Sequence, residues 1–160
     1  MRILLNFINE IAGILYVGGI ASHIVIGAVL GTPDADTAYN VYTYKELSAY
    51  ILILPGLALK VICDLILYFH YGERGNWMKI KAVLMVFLTV NAFVFLVPIM
   101  PELRALADAA KTTGDLSAFH ALEGKEALIG MSNAIPLLLE LILGSFKPKL
   151  FGERIKTRTV

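Results

Sequence analysis

The sequence predicts an all-α fold: a four-helix transmembrane bundle of up-down topology, with both termini on the inner side. Three observations predict it. The 160 residues are 58% hydrophobic, with a mean hydropathy of +0.72. That is too apolar for a soluble domain, whose surface polar side chains must cover. The 14 Lys and Arg and the 13 Asp and Glu cluster between long apolar runs. Four of those runs are long enough to cross a hydrocarbon core as helices, which satisfy their own backbone groups in lipid.

The first run, residues 11–30, contains no Asp, Glu, Lys or Arg. It is too long for a cleavable signal peptide, it lacks a strongly basic leader, and three more runs follow it. The second, 47–70, is interrupted by Lys60 and Asp64. The third is 82–100, and the fourth, 127–146, contains Glu140. Residues 31–46 link the first pair, 71–79 form a tight turn, and 101–126 have room for a short surface helix opened by Pro101. Residues 1–150 therefore read as the bundle and 151–160 as a basic cytoplasmic tail. Nine Lys and Arg fall on the side of the termini and four on the other, with Lys60 inside a span. The richer side is the cytoplasmic one, which makes the chain a multi-pass protein of a bacterial inner membrane in contact with the lipid bilayer.

Several classes are excluded. A net charge of +1 gives no basis for a nucleic-acid partner. Cys63 is the single cysteine, so there is no intrachain disulfide and no thiol-rich metal site. Three histidines and five methionines without a Met-x-Met or His-x-x-His cluster argue against copper handling.

Candidate residues follow from helical spacing. Gly19, His23, Gly27 and Gly31 recur every four residues and share one face. A histidine among glycines has space for a flat ligand, the geometry that lets an imidazole reach a haem iron. The alternative is a histidine bonded to a neighbouring helix. Gly56, Lys60 and Asp64 share a face of the second run, and Pro55 and Gly56 are expected to bend it and open a space. Lys60 pairs with Asp64 four residues on, or with Glu140, or holds a substrate carboxylate. In the third run Trp77 reads as an interface anchor, Lys81 either snorkels or points inward, and Asn91 needs a hydrogen-bond partner. In the fourth, Asn133, Glu140 and Gly144 share a face, and Pro136 frees the carbonyl of Ser132. Lys60, Asp64, Asn91 and Glu140 are all expected to face the bundle interior, because exposing them to lipid costs a few kcal/mol each.

Two stretches carry a resemblance. WMKIKAVLMVFLTVNAF, Trp77 to Phe93, resembles the start of the third span of the bacterial HemJ-type protoporphyrinogen oxidases. There a tryptophan precedes a lysine at the spacing of Trp77 and Lys81. NAIPLLLELILGSFKP, Asn133 to Pro148, resembles that family's last span, and ILPGLAL, Ile53 to Leu59, more loosely its second. Four-span membrane proteins associated with copper resistance look similar too. The resemblance implies a b-type haem protein that oxidises protoporphyrinogen IX and passes electrons to quinone. It also implies a key histidine early in the first span and a key lysine matched by Lys81. Counting back from Tyr16, the family histidine falls at Asn9, and His23 lies fourteen residues further.

Two functions compete. The first is a haem b oxidoreductase of the porphyrin pathway, with His23 as iron ligand and Lys81 and Glu140 as catalytic residues. Lys60, Asn91 and Asn133 would line its cofactor site, and Lys60 or Lys81 would hold a porphyrin carboxylate. The second is a non-enzymatic membrane protein with a polar interior: a transporter, a channel or a complex subunit, working as a homo-oligomer.

Overall fold

The computed structural model describes residues 1–149; the tail assigned to 151–160 lies outside them. Every element among the described residues is helical. Seven α-helices run in order: α1 Arg2–Leu30, α2 Ala35–Ser48, α3 Leu54–Phe69, α4 Asn76–Val90, α5 Val97–Thr113, α6 Ser117–Ser132 and α7 Ala134–Phe146. They join into four long helices, Arg2–Leu30, Ala35–Phe69, Asn76–Thr113 and Ser117–Phe146. Each is long and apolar enough to cross a membrane.

Three of the four long helices change winding part-way, and proline explains each change. Ala49–Ile53 and Asn91–Leu96 are π-helical. Pro55 and Pro98 follow them and lack the N–H that would bond the carbonyls of Ile51 and Val94. The wider π turn absorbs that missing bond. In the fourth helix, Pro136 cannot bond Ser132, and the helix breaks at Asn133 between α6 and α7.

Packing divides the molecule into two halves, labelled inner (α1, α3, α4 and α7) and outer (α2, α5 and α6) by their packing alone. In the inner half α3 lies on α1, and α7 on α4; in the outer half α5 lies on α2 and α6. The pair α1 and α3 crosses at Gly56, where an added Cβ would lie 2.8 Å from the Tyr16 backbone nitrogen and 3.0 Å from the Ala12 carbonyl. Gly56 thus brings two backbones together, and does not open the space expected beside it. The inner core holds Tyr16, Ile53, Leu57, Met85 and Leu88. A smaller cluster of Leu67, Trp77, Met78 and Leu143 closes its end. Trp77 is 8% exposed, so it is a core residue and not the interface anchor that the sequence implied. The outer core is Ala38, Tyr42, Met100, Leu103, Ala107 and Phe119. Large apolar side chains such as Ile14, Ile24, Val83, Ile135 and Leu138 point outward, a surface suited to acyl chains.

The outer half differs from the sequence reading. Residues 31–46 are mostly the helix α2, capped by the Asp34 carboxylate accepting from the Thr37 N–H at 2.8 Å. Residues 101–126 are no separate surface helix. Pro101 lies inside α5, which runs on to Gly114 at φ 73°, and α6 starts three residues later.

Candidate functional site

Charges from three of the four long helices, and an asparagine from the other, converge in the inner half. Lys60 of α3 and Lys81 of α4 each place Nζ 3.3 Å from Oε1 of Glu140 on α7. Lys81 also lies 2.8 Å from both carboxylate oxygens of Asp64 on α3. Asn9 of α1 ties the two halves of the cluster: its Nδ2 donates to Asp64 at 2.8 Å, and its Oδ1 accepts from Lys60 at 3.3 Å. Glycines give the ammonium groups room. A Cβ on Gly13 would meet Lys60 Nζ at 3.5 Å, and one on Gly144 would meet Lys81 Nζ at 3.5 Å.

Two cations and two anions sum to zero formal charge. Glu140 is fully buried, and the side chains of Lys60 and Lys81 are 8% and 4% exposed. Burying such ions costs several kcal/mol each before pairing, so each depends on the others. The pairing is incomplete in one respect. Neither oxygen of Glu140 accepts a well-directed hydrogen bond, although Oε1 faces both ammonium groups. Asp64 Oδ2 likewise faces Lys81 closely but off the hydrogen-bonding direction. The carboxylates therefore retain acceptor capacity for a proton or a donor.

A cavity of about 550 Å³ opens beside this cluster, lined by Asn9, Gly13, Lys60, Asp64, Trp77 and Lys81. Asn6, Glu10 and Lys147 also line it, which places its mouth near the start of α1 and the end of α7. The volume lies within the roughly 300–1,000 Å³ common for small-molecule sites.

The other candidate residues lie elsewhere. Asn91 and Asn133 bond each other, Nδ2 to Oδ1 at 2.6 Å, with Ser132 Oγ 3.2 Å from the same nitrogen. This node joins two helix breaks and binds nothing else in the charged cluster. His23 is half-buried, with Nε2 2.5 Å from Ser48 Oγ. The Ser48 hydroxyl donates to the Lys45 carbonyl at 3.1 Å, which leaves the imidazole N–H as the donor to Ser48. The Tyr44 ring stands edge-on, 6.3 Å away. The glycine face around His23 is only partly used: Gly19 packs on Ile53, while Gly27 and Gly31 face open space.

Lys60, Lys81 and Glu140 are thus brought together, Asn91 and Asn133 form a separate node, and His23 a third. No histidine lines the cavity, and among the described residues no three His, Cys, Asp or Glu side chains gather as a metal site. The residues beside the two lysines do not fit a histidine-ligated haem. Asn9 lies before the apolar run that starts at residue 11, and Gly13 lies inside that run with no polar group to mark it as a site residue. The available signal was Asn9, which stands where the resembled family has its histidine and which lines the cavity.

No protein-family model, no characterised protein and no solved structure matches the chain.

Proposed function

We propose that the protein is a multi-pass protein of the bacterial inner membrane that binds a carboxylate-bearing small molecule in the charged cavity. Its four helices cross the bilayer up and down, and the nine-to-four bias of Lys and Arg puts both termini in the cytoplasm. The convergence of Lys60 and Lys81 on Glu140 carries this reading. Both ammonium groups can exchange Glu140 or Asp64 for a ligand carboxylate without moving a charge into lipid. In the reading the HemJ-type resemblance supports, the ligand is protoporphyrinogen IX. Two propionates meet two lysines, Glu140 and Asp64 relay the protons released on oxidation, and three quinones, each reduced to quinol, take up the six electrons and six protons.

The test is the appearance of porphyrin fluorescence from protoporphyrinogen IX and a quinone added to purified protein. Formation faster than the spontaneous rate, and lost in Lys81→Met, supports the enzyme. Equal rates with and without protein remove it. A reduced-minus-oxidised spectrum tests haem b separately, and a haem band absent only from His23→Ala would assign the ligand.

A second reading has its own observation. The cluster is already neutral and internally paired, as in a protein whose interior charges serve conduction or assembly. Gly27 and Gly31 of α1 face open space, as a homo-oligomer contact would need. Reporter fusions at Val160 and near Thr113 test the orientation common to both readings, and a cytoplasmic signal at Thr113 would reverse it.

A further inference from the structure

A second groove runs along the outside of the inner half, between α3 and α4. Its volume is about 590 Å³. Leu57, Val61 and Leu65 form one wall, and Ala82, Val86 and Phe93 the other. Nearly all of its lining is apolar, and it lies on the surface that the apolar helices offer to acyl chains. Two residues connect it to the charged cavity. Asp64 and Met78 line both this groove and the charged cavity. Part-way along its α3 wall, the apolar groove therefore meets a carboxylate that is itself 2.8 Å from Lys81, a residue of the charged cavity.

We propose that this groove binds a long-chain carboxylic acid taken directly from the bilayer, with its chain between α3 and α4 and its head at the Asp64–Lys81 pair. The inference rests on the membrane reading above but not on the porphyrin substrate. Three features select this occupant. The span from Lys81 to Phe93 covers about 18 Å at the rise of an α-helix, the scale of one extended acyl chain. The cluster is electrically neutral, so a headgroup entering from lipid without net charge leaves the balance undisturbed. Finally, the head must meet a donor and an acceptor side by side. A carboxylic acid does so: its carbonyl accepts from Lys81 Nζ, and its O–H donates to Asp64 Oδ2, which lacks a well-directed partner. An ester of the same chain has no O–H to give.

Trp77, the only tryptophan, lines the cavity next to Met78 and reports on this junction. The experiment titrates the full chain, in phosphatidylcholine nanodiscs, with a brominated stearic acid that quenches indole emission on contact. The expected result is a saturable loss of emission that unlabelled stearic acid reverses and methyl stearate does not. Reversal by acid and ester alike would overturn the headgroup assignment. A linear, non-saturating loss would mean quenching from bulk lipid and would overturn the site. Ala82→Phe, at an exposed groove position, is expected to abolish the saturable component. Failure of the acid-against-ester contrast in the wild-type protein sinks the proposal whether or not that variant folds. Porphyrin formation is measured independently, so either reading can fail alone.

Discussion

The inner and outer halves both bury a lysine against a glutamate, yet they do so under different conditions. In the outer half Lys45 lies 3.3 Å from Glu126, whose side chain is 13% exposed. The Tyr42 hydroxyl donates to the same carboxylate at 3.1 Å, and its ring lies 4.5 Å beneath the Lys45 ammonium. Nearby pairs grade into water: Arg104 with Glu46 is 40% exposed on the arginine side, and Lys111 meets an Asp36 that is 81% exposed. Around Glu140 in the inner half nothing grades. Glu140 has no exposed surface, and its partners are two lysines that are almost as buried. The difference separates a scaffold from a site. Outer ions include partly exposed side chains, which can be rehydrated if a partner is lost. Inner ions are held by one another, so a ligand or a proton that changes one changes all of them.

Removing the carboxylate at the centre should show the contrast most strongly. Glu140→Gln leaves two buried ammonium groups with one full carboxylate between them. The expected loss is about 3–5 kcal/mol, the range for stranding a buried charge. Glu126→Gln keeps the hydroxyl, the ring and a route to water, and should cost about 1.5–3 kcal/mol, the worth of a hydrogen bond to a charged group. Unfolding in a denaturing detergent, followed by helical circular dichroism, compares them. Equal losses would erase the distinction between the halves. Replacing Lys60 and Glu140 together by methionine should recover most of the stability, because the Lys81–Asp64 pair stays neutral. If activity is then absent, the charges are retained for function and not for folding.

Glycine substitutions sharpen the same comparison at the level of backbone. Gly56→Ala drives a methyl group into the α1 backbone at the tightest crossing of the inner half. Overpacking of this kind costs about 1–3 kcal/mol, and the displaced α3 carries Lys60 and Asp64 with it. Binding in the cavity should therefore weaken along with stability. Gly27→Ala points into open space, and should stabilise α1 by about 0.5–1 kcal/mol through helix propensity alone. A destabilising Gly27→Ala would mean that this face is covered, as the oligomer reading requires.

The two halves were not equally legible. Apolar runs show themselves by length, and charges within them are conspicuous because lipid makes them expensive. That logic finds Lys60, Asp64 and Glu140 and turns them inward, but leaves Lys81, just before the third run, free to snorkel or to point inward. It offers Lys60 both carboxylates and does not choose between them. Helical spacing offers Asp64 to Lys60 on one helix, yet the packing of α7 sets Glu140 there and gives Asp64 to Lys81. The contribution of Asn9 needed the start of α1, which lies before the apolar run. The outer half reads as linker because ADTAYNVYTYKELS presents no apolar stripe. Its buried face is Ala38, Tyr42 and Lys45, which hydropathy counts as small or polar. Tyrosine and lysine pack through their apolar bodies while their polar ends find partners, and that is visible only in three dimensions.

The smallest expected effect comes from a third carboxylate that repeats the geometry of Glu140 in a wet setting. Glu73, in the turn between α3 and α4, is hydrogen-bonded by Arg2, and by Lys147 at 3.1 Å. Its two partners are 55% and 42% exposed, whereas those of Glu140 are buried. Partial burial works to raise the Glu73 carboxyl, but the hydrogen bonds and charges of Arg2 and Lys147 outweigh it and hold the group below its ordinary value of 4.5. A lowered folded-state value means that the unfolded chain takes up the proton first as pH falls. The stabilisation is fully present above the unfolded value and is lost as pH drops through the folded one. Solvent around both partners screens the gain, so it should be modest. Thermal unfolding of the wild type should shift to lower temperature as the pH is taken below 4.5, and Glu73→Gln should flatten that dependence while changing little at neutral pH. Glu140→Gln should do the reverse, with a large loss at neutral pH. If Glu73→Gln is as damaging at neutral pH as Glu140→Gln, dryness is not what makes the inner cluster special, and the two-cation geometry alone is.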